Sequence, residues 1–361
     1  MNRTSLTPRQ RVEIAMRGGH ADKVPFTVYE CMIAQCVAER EVRNRGACIV
    51  QRRVPVFKTH RPNVKVTQHV YYEGERRFTR TYYETPVGTV SQLDEAAGFT
   101  SWHHEKMFKT PDDYKTLLFM IQDERYEPDY EAFAQAERDF GDDAIFRSSF
   151  GLEPLQTLIS GNMMAMQDFC VQWMDNRDEI LKLYDAIVAK RREVYKIVAE
   201  SPVSHANYGG NVVPEITSPR MFREYYTPHY NEAAEIMHRH GKLIGVHFDD
   251  DCKLLAGEIA QTDLDYIEAF TPAPSTDMTL AEARQAWPGK VLWINFPCTA
   301  HLLPRDEVAA VTVDLIEQAG TPDGLLIGIT DDPPPDRWRD SYRGIMDGCD
   351  RHAQEHPELY R

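Results

Sequence analysis

His247 stands at the end of an apolar run, Lys242 to Phe248 (KLIGVHF), and is followed at once by Asp249, Asp250 and Asp251. An imidazole with carboxylates this close can hold a metal ion or move a proton near neutral pH. A second run, Leu264 to Phe270 (LDYIEAF), carries Glu268 among apolar neighbours. A carboxylate there is costly to bury unless it is paired, hydrogen-bonded or bound to a cation. Other apolar runs also end in polar residues: Tyr29 and Glu30, then Ser149 and Glu153, then Asn207 and Tyr208, then Asn295 with Cys298, and last Thr330, Asp331 and Asp332. His103-His104 and His238-x-His240 follow no such run and read as solvated surface pairs.

The elements that must position these residues follow from periodicity. Seven short runs rich in β-branched and aromatic residues read as strands: Val24 to Tyr29, Ala144 to Phe150, Val203 to Tyr208, Lys242 to Phe248, Leu264 to Phe270, Lys290 to Phe296 and Gly324 to Thr330. Between them lie amphipathic helices such as Arg177 to Glu200 and Pro219 to His240, the latter opened by Ser218 as N-cap. Alternation of strand and helix implies a parallel sheet. The strand count is close to eight and no G-x-G-x-x-G follows any strand, so the reading is α/β, a closed (β/α)8 TIM barrel. Residues 64–93 alternate Thr, Val and Tyr around Gly74 and Gly88 and read as an antiparallel hairpin excursion, placed near the barrel mouth as a lid. The expectation is one domain over 1–361, with its site at the C-terminal ends of the strands.

With 41 Lys+Arg against 56 Asp+Glu, the 361-residue chain carries a net charge of −15. Such a charge offers no extended basic surface to a phosphate backbone, so nucleic-acid binding is not expected. Hydrophobic content of 42% is enough for a sizeable core and too high for a disordered chain. No signal-peptide pattern and no membrane-length apolar stretch is seen, and the seven cysteines are scattered without a C-x-x-C pair. A cytoplasmic protein with reduced thiols is expected.

The opening LTPRQRVEIAMRGGHADKVPF resembles the start of the uroporphyrinogen decarboxylase superfamily. The later blocks N-Y-G, H-F-D, I-E-A-F, I-N-F-P and G-I-T-D-D follow that superfamily's order over essentially the whole chain. The resemblance implies a (β/α)8 barrel and one of two activities: decarboxylation of a porphyrinogen, or zinc-dependent methyl transfer among a small donor, a corrinoid protein and an acceptor. True decarboxylases carry an arginine block after the first strand. Here Thr27-Val28-Tyr29-Glu30-Cys31-Met32 has none and adds a carboxylate, so a polyanionic substrate is expected to be repelled.

The superfamily's thiol-activating methyltransferases use a His-x-Cys pair and a later Cys. In this chain Asp249 replaces the first Cys, and Ile329, Thr330 and Asp331 stand where the second would be. The segment from His247 to Leu302 is most similar to the corrinoid-dependent O-demethylase branch, which takes methyl groups from methoxylated aromatic compounds. That resemblance implies a divalent metal, zinc foremost, on His247, Glu268 and Asp249, the exchange of soft ligands for oxygen opening the site to other ions. Glu282 and His301 have roughly the order of that branch's ligands, with Glu282 ranked below Glu268. The three metal ligands are also the expected catalytic residues, with Tyr29, Glu30, Asn207, Tyr208, Phe270, Asn295 and Asp331 binding substrate. The implied partners are a small methyl donor and a corrinoid protein, and a homodimer is known among relatives. Two alternatives stay open: a decarboxylase acting on another acid, with Asp249 or Glu30 as proton donor, and a non-catalytic barrel that binds a ligand or corrinoid partner.

Overall fold

The computed structural model describes residues 6–98, 100–161, 163–210 and 212–360; the first five residues, part of the segment read for a signal peptide, lie outside these. The chain divides into two compact units, one of Met1–Val56, Tyr130–Ser149 and Ala199–Arg361, the other of Phe57–Asp129 and Phe150–Val198.

The first unit is built on parallel strands: β1 (Phe26–Tyr29), β2 (Cys48–Gln51), β3 (Ala144–Phe146), β4 (Ser148–Ser149), β5 (His205–Tyr208), β6 (Leu243–His247), β7 (Tyr266–Phe270), β8 (Val291–Asn295) and β9 (Leu325–Ile329). Their hydrogen-bonded order is β4-β5-β6-β7-β8-β9-β1-β2-β3. The two ends of that order, β3 and β4, are separated in the chain by Arg147 alone. Ile145 pairs with Val50 on one side, and Ser148 with Ala206 on the other. Residues 144–149 are thus one interrupted stave, and the sheet closes as the expected (β/α)8 barrel.

All seven expected strands form, most of them a residue or two shorter. The eighth, β2 (CIVQ), sits in an apolar run of only four residues, Ala47 to Val50, closed by Gly46 on one side and Gln51-Arg52-Arg53 on the other, and was not among the expected strands. The helix expected over Pro219 to His240 is two helices, Pro219–Tyr225 and Thr227–Arg239. Pro228 explains the break, because it lacks the N–H an unbroken helix needs and takes a first-turn position instead. Ser218 caps the first of them as expected, accepting from the Met221 amide at 3.3 Å.

Strand alternation sorts the barrel's side chains. Tyr29, Cys48, Val50, Ile145, Tyr266, Val291, Trp293 and Leu326 share one cluster with Val12, Ala15 and Met16 of the helix Pro8–Met16. Burying each larger member is worth about 1.5–3 kcal/mol. Trp293 Nε1 donates to Thr27 Oγ1 at 2.8 Å, which satisfies the indole inside the core. Two glycines make room for the large rings: a Cβ on Gly245 would lie 2.2 Å from the Tyr266 ring, and one on Gly328 2.9 Å from Trp293 Nε1.

The second unit contains a four-stranded antiparallel sheet of Lys65–Glu73, Arg76–Thr85, Gly88–Ala97 and Thr100–Glu105, paired in chain order. The expected hairpin is therefore real and extends one strand further. Among the described residues, no helix is long and apolar enough to cross a membrane.

Candidate active site

Glu268 is fully buried on β7, and both its oxygens are engaged. Oε1 accepts from the Tyr29 hydroxyl at 2.6 Å. Oε2 accepts from Asn207 Nδ2 at 2.7 Å and Arg147 Nη1 at 2.8 Å, and lies 2.9 Å from His247 Nδ1. Arg147 Nη2 donates to the Tyr29 hydroxyl at 3.2 Å, and the Tyr266 hydroxyl donates to Asn207 Oδ1. Five staves thus close a polar network around one carboxylate. Burial by itself would raise the Glu268 carboxyl, but Arg147, His247 and Tyr29 outweigh it and hold the carboxyl down at about 2. Burial also pushes the Tyr29 hydroxyl well above its usual range, so it stays a donor.

His247 ends β6 and is the partly exposed member of the network. Its Nδ1 faces Glu268, and its Nε2 lies 3.4 Å from Asp249 Oδ2. Burial would lower the imidazole, yet Asp249 and Glu268 together carry it up to about 9. It is therefore an imidazolium at neutral pH. Gly210 lies close beside it at φ +148°: a Cβ there would sit 2.9 Å from that of His247. Below, His205 is buried and held neutral, at about 3, by burial and by Arg147.

The remaining expected site residues form a second group or lie elsewhere. Asn295 Nδ2 donates to Asp331 Oδ2 at 2.8 Å, and Cys298 Sγ lies 3.5 Å from the same oxygen. Asn295 Oδ1 accepts from the Thr330 amide at 3.0 Å. Burial raises the Cys298 thiol to about 11, so it is not a thiolate. Glu282 caps its own helix through Thr279 and pairs with Lys253 at 2.7 Å. His301 Nδ1 is 2.6 Å from Ser341 Oγ, and burial lowers it to about 4.

Tyr208 and Phe270, expected to bind substrate, are instead fully buried in the layer between strands and helices. Tyr208 packs edge-on to Tyr230 and Phe270 to Trp287. Tyr208 has the opposite parity to His205 and Asn207. Phe270 shares the parity of Glu268, but the ladder to β8 slips between them: Glu268 pairs with Trp293 and Phe270 with Ile294. Ala269, at φ +63°, is the extra residue that turns Phe270 outward.

Glu30 does not present the bare negative charge expected of it. Arg52 Nε reaches it at 3.3 Å and Arg53 Nε at 3.0 Å, and the Arg52 guanidinium lies 3.4 Å from the centre of the Tyr29 ring. Three arginines, counting Arg147, therefore surround the end of β1.

A metal ion is poorly served by the donors present. Among the described residues no group of three or more His, Cys, Asp or Glu side chains is placed to hold one. Glu268 Oε2 already accepts from the Arg147 guanidinium, a fixed cation that opposes a second. The donor set left is His247 Nε2 and Asp249, one short of a catalytic zinc site.

Arg147 is the site residue that sequence reasoning missed, together with Tyr266 and His205. Its signal was present: a lone arginine in the apolar run AIFRSSF raises the same question as Glu268, and the two answer each other.

Fold and site together define a (β/α)8 barrel with a buried Arg–Glu pair beneath a strand-end imidazolium. Compared by sequence, the chain matches no family model and no curated protein. Compared by fold, it is similar to a methyltransferase from Methanosarcina mazei, with a TM-score of 0.58 and 12% identity over 96% of this chain and 99% of that one.

Proposed function

We propose that this chain is a methyltransferase that takes the methyl group of a small methoxylated aromatic donor and passes it to a corrinoid protein. His247, held as an imidazolium between Asp249 and Glu268 at the end of β6, carries the reading. The order of sequence blocks shared with the corrinoid-dependent O-demethylases supports it, as does the fold shared with a protein named as a methyltransferase.

An ether oxygen is a poor leaving group, so methyl transfer from it needs an acid on that oxygen. A corrinoid carried by the partner would supply the nucleophile for the methyl carbon. The His247 Nδ1 proton is tied to Glu268 at 2.9 Å, whereas Nε2 faces Asp249 at the longer 3.4 Å. The Nε2 proton, held only by that longer contact, is the one that can pass to an ether oxygen brought up to it as the C–O bond breaks, leaving a phenol and a neutral imidazole that solvent reprotonates. Glu268, itself fixed by Arg147, Asn207 and Tyr29, sets the ring's orientation. Asp331, exposed and held by Asn295 Nδ2 at 2.8 Å, offers an acceptor to polar ring substituents. No step runs through a metal, because the donor set does not favour one.

A second reading has its own observation: Arg52, Arg53 and Arg147 gather at the end of β1, where an acid substrate would find cations, and decarboxylation of such an acid releases carbon dioxide. Incubating the protein with methoxybenzoates and a reduced corrinoid protein decides between them. Formation of the phenol with methylcobalamin absorbance supports methyl transfer; carbon dioxide without methyl transfer overturns it.

A further inference from the structure

We propose that two copies of this chain join edge to edge through the strand Lys65–Glu73, forming a symmetric antiparallel pair and one continuous eight-stranded sheet. The strand is nine residues long, lies at one edge of its sheet and is paired along one side only. Free edges are normally blunted by charged side chains, proline, a bulge or shortness. This one has no proline and no bulge, and its two charges, Lys65 and Glu73, stand only at its ends, while the opposite edge, Thr100–Glu105, carries His104 as an extra residue where its register shifts between Leu93 and Asp94. Val66, Val70 and Tyr72 lie on one face and are 54%, 48% and 65% exposed.

The sequence KVTQHVYYE is complementary to its own reverse. With a two-fold axis at His69, Lys65 of each copy meets Glu73 of the other, Val66 meets Tyr72, Thr67 meets Tyr71, and Gln68 meets Val70. Opposite-charge and aromatic–β-branched pairs are the favourable cross-strand combinations. The two-fold keeps both copies' side chains on matching faces, which requires opposed residues to share parity, as all of these do. Centring the axis on Gln68 also keeps parity but sets Lys65 against Tyr71, and centring it on Val70 sets Lys65 against Glu75, which lies in the turn beyond the end of the strand. Charge complementarity therefore selects both the second copy as occupant and the register.

Sedimentation equilibrium of the full chain over a hundredfold concentration range tests this. The wild type is expected to be a dimer. K65E and E73K, each alone, place like charges at both ends of the joint and are expected to weaken the dimer by about tenfold or more. Mixed one to one, the two variants restore opposite charges in a mixed dimer, and the double variant K65E/E73K restores them in its own. A wild type that stays monomeric, a dimer neither variant weakens, or a mixture that does not recover overturns the proposal. His69→Cys supplies a check independent of charge: on the axis, it is expected to cross-link two copies under oxidation beyond the background of the native cysteines, and no added cross-link counts against the joint.

Discussion

Arg147 Nη1 and His247 Nδ1 meet at one oxygen of Glu268, at 2.8 Å and 2.9 Å. The carboxylate thereby couples the barrel's fixed interior cation to the group at its mouth that can release a proton. Removing Arg147 leaves Glu268 buried with less compensation, so Arg147→Ala is expected to cost about 3–5 kcal/mol of stability. Replacing both by apolar residues, Arg147→Met with Glu268→Leu, is expected to recover only part of that loss, because Tyr29 and Asn207 lose their buried acceptor, while abolishing activity. Urea denaturation midpoints check the first part and turnover the second.

His247 sets the pH dependence. Its carboxylate partners raise it to about 9, so the charged form prevails at neutral pH and is lost as pH rises through that value. Turnover is expected to fall on the alkaline side near pH 9. The ion-pair contribution to stability follows the same sign, full below the ordinary histidine value near 6.5 and lost through about 9. Asp249→Asn removes one supporting charge and is expected to move the alkaline limb toward neutral pH. His247→Gln is expected to lower turnover by about 10²–10⁴-fold, the usual worth of a general acid. A pH–rate profile of the three proteins, with an NMR titration of the ring, measures all of this.

The bulge at Ala269 is a local strain with a direction. A non-glycine residue at φ +63° costs about 1–2 kcal/mol relative to glycine. Ala269→Gly is expected to be neutral or to raise the melting temperature. Ala269→Val, adding a β-branch in that conformation, is expected to lower it. Calorimetry of the two variants reads the sign.

Much of the barrel was legible because its strands are short apolar runs whose lengths and spacing leave little freedom, and their polar ends pointed to His247 and Glu268. Three features were not. β2 draws on an apolar run of only four residues, Ala47 to Val50, whereas β1 and β5, equally short as strands, lie in runs of six. Phe270 shares Glu268's parity, and only the slipped register at Ala269 turns it away, a backbone event that side-chain spacing does not encode. Arg147 was passed over because it sits where one stave breaks, and its partner, 121 residues away, is adjacent only after the barrel closes.

Metal content is the measurement that separates the two accounts of the acid. The resemblance implies an ion on His247, Glu268 and Asp249, whereas the structure commits Glu268 Oε2 to Arg147, Asn207 and His247 and Oε1 to Tyr29. A third ligand would have to displace a buried guanidinium from its carboxylate, which is strongly unfavourable. Protein purified without chelator is therefore expected to hold no stoichiometric zinc, and dialysis against a chelator is expected to leave turnover and melting temperature unchanged. One ion per chain, lost in His247→Ala, would transfer the acid's role from the Nε2 proton to a Lewis acid. In that case Arg147 would have to leave Glu268, and Arg147→Met, by freeing the carboxylate, would tighten metal binding rather than weaken it.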